Sequence, residues 1–395
     1  MEFYQKTLKL ISDNIKKTFP FRDKKELSDF DLYSKKYYAG LKNIDSDEEF
    51  FMYAKEFVAQ MRNSHNRIGG SWGKTFRPKD YKVIIVEKKF LLKKRNEVLG
   101  EVLLIDGRKP KDILLERKKT ATGSTKQLLD RGAEYILSSQ KSDPVKLKLK
   151  IGGKISYRII NRYPVSNNSS EKIVEFKMFN GTIGYLRAAS FIDEPEIRMA
   201  LENKIKYFAK VKPRLLIIDI RGNLGGSSHV SNILASRFFN KKVLFGFESR
   251  RINKDSIKLK KSPIYLNPRE PYLNMPIIIL VDAGTFSASE SFCAGLKDNR
   301  RALMIGETTG GAGIGDVKKF DIPFRNFNLS LFVSTAIFLR PNGKLAEGKG
   351  IRPHIVVRPT VKGMVVNGDE ALERAMFEAR KIFPRKAILK HIQTI

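Results

Sequence analysis

The sequence predicts an α/β protein in three stretches: a helical N-terminal part, a small β-rich module, and a longer segment of alternating strands and helices. Three observations lead there. Asp45 to Met61 places acids first and then apolar residues at helical spacing. Short strand-like runs crowd residues 77–163, among them the alternating Val145-Lys-Leu-Lys-Leu-Lys-Ile151. Beyond residue 173, apolar runs such as Leu215-Leu-Ile-Ile218 and Ile277-Ile-Ile-Leu-Val281 recur with helical segments between them. Runs of that kind are strands buried on both faces, and their β-α-β spacing implies a mostly parallel sheet.

Taken in order, residues 1–76 read as helical, with Gly69-Gly70 as the stop. The second stretch, 77–163, holds strands at Tyr81 to Val86, Gly100 to Ile105 and Val145 to Ile151, a turn at Gly152-Gly153, and an expected helix near Thr125 to Leu137. Asn167-Asn-Ser-Ser170 reads as a surface loop. In the third stretch, 173–395, strands are expected from Gly184 to Phe191, Leu215 to Ile220, Val243 to Phe247, Ile277 to Val281 and Ala302 to Gly306. Helices fall around 195–210, 227–239 and 287–297. A hairpin is expected to turn at Asn342-Gly343, and a closing helix to run from Asp369 to Ile382.

Composition bounds the chemistry. The single cysteine, Cys293, excludes an internal disulfide framework and a cysteine zinc site. A formal charge of +33 over 395 residues would suit nucleic acid, anionic lipid or acidic substrates. The lysines, however, are dispersed in short pairs such as Lys24-Lys25, Lys88-Lys89 and Lys260-Lys261, not gathered in one arm. The charge is therefore read as compositional, and no specific nucleic-acid partner is expected. It would still attract anionic groups, peptide C-terminal carboxylates included. No stretch is apolar enough for a signal peptide or a membrane span, so the expectation is a cytoplasmic protein without a span.

Ser287 stands where the Ile277–Val281 run gives way to a helical segment, so its hydroxyl belongs at the carboxyl end of a strand. The next amide, of Ala288, then lies at a helix N-terminus, where partial positive charge favours an oxyanion. Ser287 followed by Glu290 is equally a capping box, and both readings put the hydroxyl in the same place. A second turn, Asp219-Ile-Arg-Gly-Asn-Leu-Gly-Gly-Ser-Ser228, follows a buried strand and can turn amides outward. Neither it nor Gly306-Glu-Thr-Thr-Gly-Gly-Ala-Gly-Ile-Gly315 fits a phosphate-loop or dinucleotide pattern, and no organic cofactor or metal is implied. Of the four histidines, His391 reads as solvated and His354 as structural. His229 opens the helix after the glycine turn, and His65 sits at a helix end between Ser64 and Asn66.

The motifs occur in a telling order: Asn63-Ser-His65, Leu103-Leu-Ile-Asp-Gly107, Ile183-Gly-Tyr-Leu, Ile218-Asp-Ile-Arg-Gly-Asn-Leu-Gly-Gly226, Thr285-Phe-Ser-Ala-Ser-Glu290, Gly306-Glu-Thr-Thr-Gly-Gly311 and Glu347-Gly-Lys-Gly-Ile-Arg-Pro353. This series resembles the tail-specific, or C-terminal processing, serine peptidase family over nearly the whole chain. The resemblance implies a crotonase-like (ClpP/crotonase) α/β catalytic core over 173–395, a PDZ-like module over 77–163 and a helical N-terminal region over 1–76. In the family's Ser/Lys branch a lysine follows the nucleophile by 25 residues, and here that position is Ala312. The chain is therefore more similar to the tricorn-core and interphotoreceptor retinoid-binding-protein-like branch, whose base comes from a Ser-His pair and whose tetrad is completed by a late glutamate.

That resemblance implies Ser287 as nucleophile, His65 as base, and Ser64 and Glu347 as the groups that fix the imidazole. The amides of Ala288 and Gly225, or its neighbour Gly226, would form the oxyanion hole. Ser289 is the rival nucleophile and His229 the rival base. One departure is Pro353-His354-Ile355 where the family carries Pro-Asp-Ile. The implied function is hydrolysis of peptide bonds in peptides or unfolded protein tails, in a protein that could form an oligomer. The alternative is a catalytically silent peptide- or lipid-binding protein on the same fold.

Overall fold

A computed structural model describes residues 1–70, 74–122, 132–165, 173–253, 256–313 and 316–382. The expected Asn167–Ser170 loop, His391, Gly315 and most of the helix expected near Thr125 lie outside them. The chain forms two units, drawn from Met1–Ser169, Gly246–Ile264 and Gly311–Gly350 on one hand and Ser170–Phe245, Tyr265–Gly310 and Ile351–Ile395 on the other.

The first unit opens with the helices Glu2–Thr18, Lys24–Gly40 and Asp47–Ala59. Their starts are set by side chains. Asp23 accepts from the Glu26 amide at 2.8 Å, and Ser46 from the Glu49 amide at 3.2 Å, satisfying N–H groups that lack a partner in the helix itself. Asp47, Glu48 and Glu49 complement the positive end of the third helix. The inward faces bury Leu8, Ile11, Phe50 and Phe57 against Phe324, Leu329 and Leu331 of a hairpin, Val317–Phe324 with Phe327–Ser334. Burial of each such side chain contributes about 1.5–3 kcal/mol. Arg67–Gly69 adds to the same hairpin as an antiparallel strand, Arg67 opposite Phe332.

The same unit holds an antiparallel five-stranded meander of Tyr81–Val86, Lys89–Lys94, Glu97–Ile105, Val145–Ile151 and Lys154–Ile160. The period-two pattern read at Val145–Ile151 is real: Val145, Leu147 and Leu149 are buried with Val83, Leu92 and Leu114, while Lys146 and Lys150 are exposed. A helix spans Pro110–Thr120, where the sequence reading placed none. Pro110 at its first turn was the local signal. It was masked by a weak apolar stripe in which Leu114 is the buried aliphatic residue. Of the helix expected near Thr125–Leu137, Gly132–Tyr135 forms one 3₁₀ turn.

The second unit is built on a six-stranded sheet in the order Ile355–Val356, Ala302–Gly306, Ile277–Val281, Leu215–Asp219, Ile183–Ala188, Val174–Phe179. All neighbours are parallel except the antiparallel edge strand Val174–Phe179. Leu215–Asp219 and Ile277–Val281 are buried at every residue, as expected of central strands covered on both faces. Helices Pro195–Val211, Ser228–Ser236, Ala288–Asp298 and Glu370–Ile382 accompany the sheet. Ala375 and Ala379 of the last pack on Leu215, Ile217, Ile278 and Leu280. Registers Asp219 to Leu280 and Val281 to Gly306 bring the loops after these three strands out at one edge, the carboxyl end where ligands bind in open α/β sheets. Among the described residues no helix is long and apolar enough to cross a membrane.

Candidate active site

At that carboxyl edge the glycine turn and the serine turn are fastened together by backbone and carboxamide bonds. The Phe286 amide donates to the Asn223 carbonyl at 3.0 Å. The Asn223 side chain, fully buried, donates to the Ala188 carbonyl at 2.9 Å and accepts from the Gly225 amide at 2.8 Å. Asp282 Oδ1 accepts from the amides of Gly222 and Gly284, both at 2.8 Å, and Thr285 Oγ1 donates to the Ile220 carbonyl at 3.0 Å. Below the turn, buried Asp219 accepts from Arg221 Nη2 at 2.6 Å and Tyr185 Oη at 2.8 Å, and Arg221 continues to Asp369 at 2.7 and 2.8 Å. Burial alone would raise the Asp369 carboxyl, but the Arg221 guanidinium outweighs it and holds the group below its ordinary value.

Ser287 is half-buried and adopts φ 55°, ψ −122°, a conformation that few residues other than glycine tolerate. Its N–H donates to Glu290 Oε2 at 3.3 Å, the glutamate half of the expected capping box. Glu290 is fully buried, and its other oxygen accepts a short bond from the Thr309 hydroxyl, which in turn accepts from the Ile351 amide at 2.7 Å. The strain at Ser287 is thus held by a buried carboxylate. Ala288 is the first residue of the following helix, so its amide has no acceptor within that helix. Gly225, at φ 94°, packs its backbone directly on the serine: a β-carbon there would lie 2.9 Å from Ser287 Cβ, 2.9 Å from Ala288 N and 2.8 Å from the Phe286 carbonyl. Glycine is required by both the dihedral and the space.

The second unit therefore brings together Ser287, Ala288 and the Gly225-Gly226 turn. The Gly225 N–H is occupied by Asn223, a use of that amide that sequence reasoning did not foresee. Ser289 faces inward, fully buried, with no hydrogen-bond partner for its hydroxyl among the described residues. His229 is exposed on the Ser228–Ser236 helix. His354 brackets Met304, its amide donating to the Met304 carbonyl at 3.0 Å and its Nδ1 accepting from the Met304 amide at 2.9 Å, which is a structural role.

The first unit gathers Ser64, His65 and Glu347. After the helix Asp47–Ala59 the chain turns over Asn63, whose Oδ1 accepts from the amides of His65 at 3.0 Å and Asn66 at 3.2 Å. Fully buried Asn66 accepts from the Ser334 amide at 2.7 Å, locking this turn to the hairpin. Glu347 bridges two backbone amides, accepting from Ser64 at 3.3 Å and from Gly313 at 2.6 Å. His65 is 7% exposed, and burial followed by the nearby Arg67 charge pushes it down to about 4, so the imidazole is neutral at pH 7. Ala312 is buried. Among the described residues no group of three histidine, cysteine or acidic side chains is placed to hold a metal ion.

Comparison with known proteins bears on the family and the fold. Residues 182–357 match the model of peptidase family S41. The chain is 31% identical to a carboxy-terminal-processing protease of Bartonella bacilliformis over 188 residues, covering 47% of this chain and 41% of that one. It is 27% identical to the carboxy-terminal processing protease CtpA of Bacillus subtilis over 273 residues, covering 65% and 53%. The chain thus spans about half the length of the curated relatives it matches. Its fold is that of mature CPAF, solved in complex with lactacystin, at TM-score 0.80 and 16% identity over 97% of this chain and 98% of that one.

Proposed function

Residues 182–357 belong to peptidase family S41, and from that premise we propose that this chain is a serine-type peptidase acting on peptides or unfolded protein tails, with Ser287 as nucleophile. The observation that carries the proposal is the serine itself. Its backbone is held at φ 55°, it opens a buried helix, and the glycine turn is packed on its β-carbon. This is how a nucleophile is presented at the end of a sheet strand.

In this reading His65 accepts the Ser287 Oγ proton as Oγ bonds to the substrate carbonyl carbon, and returns it to the amine nitrogen as the peptide C–N bond breaks. Water then cleaves the resulting ester by the same proton route. Neutral His65 is the form able to take that proton. Ser64 and Glu347 act as positioning residues for it. The Ala288 amide and one amide of the Gly225-Gly226 pair receive the oxyanion, each such donor worth about 2.7–4 kcal/mol. Since Gly225 serves Asn223, we assign Gly226 to that part.

We further propose a crotonase-like core for the parallel-sheet unit and a PDZ-like role for the meander. Supporting the latter, a groove of about 380 Å³ runs beside strand Glu97–Ile105 and helix Pro110–Thr120. It is lined by Phe90, Val102, Leu104 and Pro110 with Lys109 and Lys148, suited to an apolar tail ending in a carboxylate.

A fluorophosphonate probe tests the nucleophile. The folded wild type should be labelled at Ser287 and should digest unfolded casein, and Ser287→Ala and His65→Ala should each lose turnover. Casein digestion undiminished in Ser287→Ala would refute the mechanism. Absence of labelling and turnover in the folded wild type would favour the silent binding protein instead.

A further inference from the structure

Arg237, at the C-terminal end of helix Ser228–Ser236, is a buried cation whose hydrogen bonds are incomplete. It is 1% exposed, and Nη2 donates to Glu202 Oε2 at 2.6 Å, yet Nε and Nη1 have no acceptor among the described residues. Buried donors are nearly always satisfied, so such a pair marks a place where a partner is missing. Arg237 forms part of the wall of a cavity of about 440 Å³ between helices Pro195–Val211 and Ser228–Ser236. The lining adds Arg198, Arg269 and His229 but a single carboxylate, Glu202, which Arg237 already uses. Arg198 is paired outward with Asp193. The remaining walls are apolar, with Leu201, Ile205, Val230 and Leu234 all buried.

A wall that includes Arg198, Arg237 and Arg269 in an otherwise apolar cleft matches one ligand chemistry. We propose that this cavity binds a carboxylate carried on an apolar chain, with the carboxylate supplying acceptors to Arg237 and the chain lying against Leu201, Ile205 and Val230. A phosphate or sulfate alone would leave the apolar wall uncovered, and a neutral lipid would leave the guanidinium unsatisfied. None of the lining residues belongs to the Ser287–Gly225 turn, so the site stands or falls independently of the peptidase reading. Two sources share the chemistry: a free fatty acid, and the C-terminus of a peptide ending in an apolar residue.

Calorimetric titration of the full chain separates them, using octanoate against 1-octanol and N-acetyl-Leu-Phe as free acid against its amide. At least one acid should bind saturably and about tenfold or more tighter than its neutral counterpart; the tighter acid names the source. Arg237→Gln should remove that preference at this cavity, and Ile233→Trp, which fills the cleft and leaves Arg237 in place, should abolish the binding that Arg237→Gln weakens, whereas acid held at the Lys109–Lys148 groove would be unchanged by either substitution. If Arg237→Gln does not fold, the exposed Arg269→Gln replaces it, with a severalfold loss expected for the acid alone. No saturable binding of either acid, equal affinity for acid and neutral analogue, or wild-type binding by Ile233→Trp would overturn the proposal.

Discussion

Gly225→Ala is the sharpest probe of how the serine turn is held. The new β-carbon would stand 2.8–2.9 Å from the Phe286 carbonyl, Ala288 N and Ser287 Cβ. Comfortable carbon contacts lie near 3.5–4.0 Å, so the serine turn must retreat by about 0.6 Å or more. All three neighbours are backbone or the β-carbon itself, and none can swing away as a long side chain could. An alanine at φ 94° adds roughly 1–3 kcal/mol of backbone strain. Displacement of a catalytic group by about 1 Å costs on the order of 100-fold in rate. We therefore expect kcat/KM on a casein-derived fluorogenic peptide to fall about 10- to 100-fold, mainly in kcat, with fluorophosphonate labelling slowed in parallel. Gly343→Ala is the control, because Gly343 also has a left-handed φ, 79°, but a β-carbon there meets nothing within 4 Å. It should cost stability without touching turnover. Wild-type labelling of Gly225→Ala, in a protein where Ser287→Ala is not labelled, would refute the packing argument.

Three further outcomes follow from the same structure. Burial and Arg67 keep His65 down at about 4 against an ordinary 6.5. Below pH 6.5 the unfolded chain takes up a proton that the folded chain refuses, so folding loses about 3 kcal/mol as pH falls from 6.5 to 4; urea midpoints of wild type and His65→Gln should diverge over that interval, and parallel curves would contradict the burial. Arg221→Met takes from buried Asp219 its hydrogen-bonded cation, leaving Arg187 Nη1 at 3.9 Å, and should destabilise by about 3 kcal/mol, with Asp219→Asn in the same background recovering part of the loss in a denaturant titration. Glu290→Ala removes the acceptor of the Ser287 N–H and of the Thr309 hydroxyl, and should cost about 1–3 kcal/mol together with a drop in kcat; an unchanged kcat would mean that Ser287 keeps its conformation without that carboxylate.

Local pattern made much of this molecule legible. Near-continuous apolar runs identified Leu215–Asp219 and Ile277–Val281 as fully covered strands, because a strand buried on both faces needs no polar alternation. Alternation identified Val145–Ile151 for the opposite reason, one wet face. Strand–turn–helix order was enough to put Ser287 at a helix N-terminus and a glycine turn at the same sheet edge. Where the signal was thin, as at Pro110–Thr120 with its run of charges, a helix went unread.

What the sequence determined by itself is therefore the strands and helices with a strong local pattern and the serine and glycine turns between them, since these follow from interactions over a few neighbouring residues. Tertiary structure decided which remote segments meet. It placed the Val317–Ser334 hairpin on the N-terminal helices, gave Glu347 to the amides of Ser64 and Gly313, turned the Gly225 N–H onto Asn223, and buried Arg237 short of acceptors. Those pairings bridge up to hundreds of residues of chain. They are selected by how whole faces pack and by where buried polar groups find partners, and neither quantity is written in any local stretch of sequence.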